Sequence, residues 1–153
     1  MTEETPKETT EQHEQSLLVP SFGLELLRDE LIPELLGDEA GHILYWAGKS
    51  MARKYPLEDF DAIAAFFQKA SWGDLSIIKE KKEELQLLLT GEFVNHRYEV
   101  ENEPTFKLEA GFIAEQLQLQ RNLYTESYDE LDIRKRQAKI VVKWDRKEIV
   151  ASE

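Results

Sequence analysis

At 153 residues, 41% hydrophobic and 33% charged, the chain is long enough to bury a core without covalent staples. It has no cysteine, which excludes disulfides, thiolate zinc sites, iron–sulfur clusters and cysteine nucleophiles, and fits a reducing cytoplasm. A net charge of −12 argues against nucleic acid as a partner, and no apolar run approaches the ~20 residues needed to span a bilayer.

Residues 1–16 are polar and acidic, with no hydrophobic side chain after Met1, and read as a disordered acidic tail that carries His13. One α+β domain is expected over residues 17–150. The run from Phe22 to Ile32 places Leu24, Leu27 and Leu31 on one face, which predicts a helix. Pro33 removes a backbone donor and predicts a break or kink near Ile32, with a last turn at 34–36 and Gly37 as terminator. Asp38 is positioned to cap a second helix running to about Lys54, with Ala40, Ile43, Leu44, Ala47, Met51 and Tyr55 as its apolar positions. Two small-residue pairs on it, Ala40–Gly41 and Ala47–Gly48, form a surface that another helix can approach closely. A third helix follows Pro56 and buries Phe60, Ile63, Ala64 and Phe67.

From Asp74 the period changes. Residues 75–78 and 85–90 read as the strands of a hairpin, and residues 93–100 as a further extended or irregular piece. Residues 105–120 form a central helix with Phe106, Ala110, Ile113 and Leu117 inward and Glu109, Glu115 and Gln116 on its wetter face. Thr105 is placed to cap its first turn. Gly111 inside it costs about 1 kcal/mol against alanine, so a neighbouring backbone or a ligand must come close. Residues 123–131 and 138–145 complete the sheet. In the second of these, Ala138, Ile140, Val142 and Trp144 alternate with Lys139, Val141, Lys143 and Asp145. The expected order is ααα-ββ-α-ββ: N-terminal helices and one central helix packed on a four-stranded antiparallel sheet.

No catalytic constellation stands out. His42 and His96 lie in no metal-ligand spacing, the serines lack nucleophile-elbow glycines, and the seven glycines form no phosphate loop. A solvated helix face accounts for Glu109 and Glu115. The expectation is therefore no catalytic residue, no metal and no cofactor. Tyr45, Trp46 and Phe112, with Phe66, Phe67 and Trp72, either fill the core or line a pocket between helices and sheet. The run from Arg134 to Lys147 holds seven cations against Asp145 alone. Arg134, Lys135 and Arg136 at its start are either a solvated turn or a docking patch for an anion or an acidic partner.

The stretches Ile43-Leu-Tyr-Trp-Ala-Gly-Lys, Ala70-Ser-Trp-Gly-Asp and Leu108-Glu-Ala-Gly-Phe-Ile-Ala-Glu resemble the YslB-like family of Firmicute bacteria. That family is similar to the 4-vinyl-reductase-type superfamily, whose ligand-binding fold is shared by nitric-oxide-sensing haem domains and small TRAPP trafficking subunits. The resemblance spans residues 22–149. It implies three or four helices on a four-stranded antiparallel sheet, dimers formed through the N-terminal helices, and in some members a hydrophobic ligand, metal or haem inside. This chain lacks the cysteines some relatives use, and neither His42 nor His96 matches a haem-ligand motif, so the resemblance implies a fold and no reaction.

The reading from sequence is a cytoplasmic, non-enzymatic interaction or ligand-binding module that forms a homodimer, with Leu27, Leu31, Ala40, Leu44 and Ala47 at the interface. The alternatives are a carrier or sensor of a small hydrophobic ligand held by Tyr45, Trp46 and Phe112, and an enzyme of unrecognised type.

Overall fold

A computed structural model describes residues 17–150; the tail over residues 1–16 lies outside the described residues. In chain order the elements are α1 (Ser21–Glu25), a π-helical turn (Leu26–Leu31), α2 (Ile32–Leu36), a 3-10 turn (Gly37–Glu39), α3 (Ala40–Lys54) and α4 (Phe60–Lys69). They continue with β1 (Asp74–Glu80), β2 (Glu84–Thr90), α5 (Glu92–Val100), α6 (Lys107–Arg121), β3 (Leu123–Asp132) and β4 (Gln137–Ile149). Among the described residues the strands form one antiparallel sheet in the order β1-β2-β4-β3.

The α+β class and the strand positions are as the sequence implies, with one helix more. Residues 93–100 are helical rather than extended. Gly91, at φ 112°, turns the chain out of β2, and Val94, Arg97 and Tyr98 then face inward at helical spacing. Of the expected break or kink near Ile32, the structure shows no break but an irregularity, a π-helical turn that ends at Leu31. Residues 21–36 follow a continuous helical path, and the wide turn, closed by the Ile32 N–H on the Leu27 carbonyl, ends just before Pro33. Pro33 follows directly on this wide turn, whose shifted hydrogen bonding lets the helix continue past a residue with no N–H to donate. Gly37, at φ 64°, ends this path as expected. Asp38 makes no side-chain cap for α3, whereas Asp59 caps α4 by accepting from the Ala62 N–H at 2.9 Å.

The core lies between the sheet and α6. Leu85, Leu87 and Leu89 of β2 and Ala138, Ile140 and Val142 of β4 point to the same side and meet Ile113, Leu117 and Phe112. α6 is buried over nearly three turns, from Leu108 to Leu117, because α3 crosses its other side. That crossing depends on two glycines. A methyl group at Gly48 would collide with the Leu108 carbonyl, and one at Gly111 with the Tyr45 carbonyl. The small-residue surface of the second helix is thus occupied by the chain's own central helix, which is the close backbone that Gly111 required. α6 stops at Asn122, which adopts the left-handed conformation at φ 58°.

The expected wet face of the central helix does not exist. Glu109, Glu115 and Gln116 are all buried. The Gln116 amide accepts from the Leu57 N–H at 2.9 Å and donates to the Tyr55 carbonyl at 2.7 Å, clasping the loop on either side of Pro56. Glu115 pairs with Arg53 at 3.5 Å. Glu109 joins the charge cluster described next.

Candidate functional site

The leucine periodicity of residues 21–36 correctly marks a helix and misassigns its inner face. Leu24, Leu27 and Leu31 are exposed, and the residues that the π turn buries are Arg28 and Asp29. They are drawn inward by partners from two other helices. Arg28 Nη2 donates to Glu109 Oε1 at 2.6 Å, in the first turn of α6. Arg97 of α5 donates from Nε to Asp29 Oδ1 at 2.8 Å and reaches Glu109 Oε2 from Nη1 at 3.5 Å. The same guanidinium donates to the Thr105 carbonyl and lies 4.4 Å from the centroid of the Phe106 ring. Two cations and two anions thus compensate one another away from water, the condition under which charge can be buried at all.

A small cavity of about 30 Å³ adjoins this cluster, lined among others by Leu24, Ser71, Trp72, Phe93 and His96. It has room for about one water molecule. Arg28 Nε is buried without a hydrogen-bond partner among the described residues. On the rim, His96 Nδ1 lies 3.6 Å from Glu25 and 3.3 Å from Glu99. Ser71 sits in the left-handed region at φ 60°, at the corner between α4 and β1. Glu109 is saturated by two guanidinium groups and 1% exposed, so a reactant cannot reach it as it stands. The arrangement is suited to locking helices together. Among the described residues no group of three or more His, Asp or Glu side chains is placed to hold a metal ion.

The other expected site residues are dispersed. Phe112 is 0% exposed and stacks on Phe66 at 4.7 Å, inside a filled cluster with Phe67 and Trp72. Trp46 points outward at 63% exposure, with Lys49 Nζ 5.0 Å from its ring centroid. Tyr45 is half-buried and accepts the Ser127 N–H in its hydroxyl at 3.1 Å; burial pushes its phenol above the ordinary value. Tyr45 and Trp46 meet edge to face at 6.5 Å on the outer side of α3, whereas Phe112 lies in the interior on α6 and stacks on Phe66, so the structure does not bring the three together. Of the expected interface, Leu27, Leu31 and Ala47 are exposed and Ala40 is partly covered, but Leu44 is only 5% exposed and belongs to the interior.

The basic run is not one patch either. Arg134, Lys135 and Arg136 occupy the β3–β4 turn, where Arg136 pairs with Glu99 at 3.2 Å. Arg146 and Lys147 lie beyond Trp144, which along the regular part of β4 is roughly 26 Å from Arg136 at about 3.3 Å per residue. Between them Lys139 faces Glu130 at 3.9 Å and Lys143 faces Glu84 at 3.7 Å. Sequence reasoning missed Arg28, Asp29, Arg97 and Gln116. The available signal was the charged pair Arg28–Asp29 set inside a leucine-rich helix.

Comparison with known proteins is consistent with this architecture. A family described as "Protein of unknown function (DUF2507)" matches residues 21–143. The uncharacterized protein YslB of Bacillus subtilis (strain 168) is 42% identical over 130 residues, 85% of this chain and 88% of that protein. A vinyl-4-reductase family protein from Methanocaldococcus jannaschii superposes with a TM-score of 0.63 at 19% identity, covering 95% of this chain and 98% of its own; this likeness shows the fold alone. A trafficking protein particle complex subunit 3 from Naegleria fowleri, solved covalently bound to palmitic acid, aligns over 95% of this chain and 99% of its own at a TM-score of 0.43 and 14% identity.

Proposed function

This chain belongs to the DUF2507 family, and from that premise we propose that it is a non-enzymatic interaction module that self-associates through its N-terminal helical segment. The observation that carries this reading is the orientation of residues 21–36. Their charged pair is buried and their apolar side chains are turned out, with Leu27 at 56% and Leu31 at 44% exposure beside exposed Phe22, Leu24, Leu26 and Leu35. A ridge of this kind is a docking surface in the usual physical sense, because leaving it in water forfeits about 25 cal/mol per Å² of apolar area. A second copy is the occupant best suited to it. Two leucine ridges related by a twofold axis are self-complementary, since each can pack into the grooves of the other.

The non-enzymatic part is supported by the saturation of Glu109 and by the dispersal of the other titratable groups. A cytoplasmic setting, which the cysteine-free composition favours, belongs to the same reading, and recovery of the native protein in a membrane or secreted fraction would contradict it. The alternative, a carrier or sensor of a small hydrophobic ligand, would need Tyr45, Trp46 and Phe112 to line one cavity, whereas Phe112 is fully buried against Phe66 and Trp46 is 63% exposed.

Sedimentation of the full chain at micromolar concentration tests the proposal. The wild type is expected to run as a dimer and a Leu27→Glu/Leu31→Glu variant as a monomer of unchanged helix content. A strictly monomeric wild type overturns self-association.

A further inference from the structure

We propose that the cleft between the β1–β2 turn, the end of α6 and the distal part of β4 binds a small phosphate-bearing molecule. This open cleft of about 520 Å³ is lined by Lys81, Lys82, Arg121 and Arg146 around Trp144, with Glu80 as its one acid. In a chain of net charge −12, four cations from three distant stretches of sequence converge on one place.

Three of these cations make no side-chain ion pair among the described residues, although Arg121 feels the charge of Glu80. Lys81 pairs with Glu84 at 3.5 Å, but Lys82, Arg121 and Arg146 have no side-chain ion pair or hydrogen bond among the described residues. Arg121 is instead held over the indole of Trp144, its Cζ 4.2 Å from the ring centroid. A guanidinium stacked in this way keeps the N–H groups of its edge free for an in-plane acceptor. That planar fork matches the oxygens of a phosphate better than a lysine ammonium does. Leu85, Leu123 and the indole supply an apolar floor for an organic portion.

The backbone builds this convergence. Thr125 of β3 pairs with Trp144, and the next pair is Leu123 with Ile149, so residues 145–148 bulge out opposite Tyr124 alone. The Lys147 N–H donates to Asp145 Oδ1 at 2.8 Å inside the bulge, and the Val150 N–H donates to the Asn122 carbonyl at 2.9 Å beyond it. A regular strand would carry Arg146 in simple alternation; an interruption of this size re-aims it. On the other side, the Trp144 N–H donates to the Glu83 carbonyl at 3.2 Å and brings the Lys81–Lys82 turn to the indole.

The probe is inorganic pyrophosphate, titrated calorimetrically into the full chain at low ionic strength. Saturable binding is expected, weakened about tenfold or more in Lys82→Ala/Arg146→Ala through loss of two charge-assisted contacts. Arg134→Ala/Lys135→Ala makes the same change in net charge at the other end of β4 and should leave binding unchanged. Melting temperatures of both variants confirm that they fold. Adenosine diphosphate binding more tightly than pyrophosphate would assign the source to a nucleotide, and equal binding to free phosphate. No saturation at millimolar pyrophosphate, or equal weakening in the two variants, overturns the proposal.

Discussion

Arg28 and Glu109, 81 residues apart in sequence, meet at 2.6 Å and join the N-terminal helical segment to the first turn of the central helix. The carboxylate lies where the helix macrodipole favours negative charge, and Arg97 supports it from the other side. Glu109→Ala would leave two buried guanidinium groups undercompensated, and breaking such a cluster costs about 3–5 kcal/mol. Urea denaturation should show the midpoint falling accordingly. A loss below about 1 kcal/mol, the range of exposed ion pairs, would mean that water reaches the cluster.

The two glycines at the α3–α6 crossing lead to a second expectation. Gly111→Ala should lower stability by roughly 1–3 kcal/mol through overpacking, despite the better helix propensity of alanine. Gly23, with nothing within 4 Å of an added methyl, is the control, and Gly23→Ala should be neutral or stabilising by up to about 1 kcal/mol. Equal melting temperatures for the two variants would contradict the close-approach account.

Gln116 is 0% exposed and holds the loop around Pro56 through its two hydrogen bonds. Gln116→Leu preserves the approximate volume and strands the Tyr55 carbonyl and the Leu57 N–H. A cost of about 1–3 kcal/mol is expected, with faster amide exchange at Leu57. Unchanged exchange would show that water replaces the amide.

Burial raises the phenols of Tyr45 and Tyr98 above the ordinary 10.0, although hydrogen bonds act in the other direction. A phenol with a folded pKa above its unfolded value favours folding while it is protonated. The contribution is complete below the unfolded value and disappears as pH rises through the folded one. Alkaline conditions above pH 10.0 should therefore destabilise the protein, and Tyr45→Phe should remove one late phase from the phenolate absorbance titration. A titration curve identical in wild type and Tyr45→Phe above that pH would contradict the assignment.

The sequence by itself determined the elements whose signal is local. The alternation from Ala138 to Trp144, the hairpin before it, Gly37 as a stop and the apolar face of residues 105–120 depend on near neighbours along the chain. Local periodicity shows which residues share a face, but not what that face meets. Leu24, Leu27 and Leu31 share one and point outward, because Glu109 and Arg97 claim Arg28 and Asp29 for the inside. Residues 92–100 look irregular only while Arg97 is counted as polar. Once its partners bury it, Val94, Arg97 and Tyr98 form an ordinary inward helix face. Gly111 signalled a close approach from sequence alone; that the approaching backbone is Tyr45 of the same chain was decided by the tertiary crossing. The reason is common to these cases. The cost of burying a charge, or of placing a methyl group against a carbonyl, is set by groups dozens of residues away, and the folded chain alone brings them together.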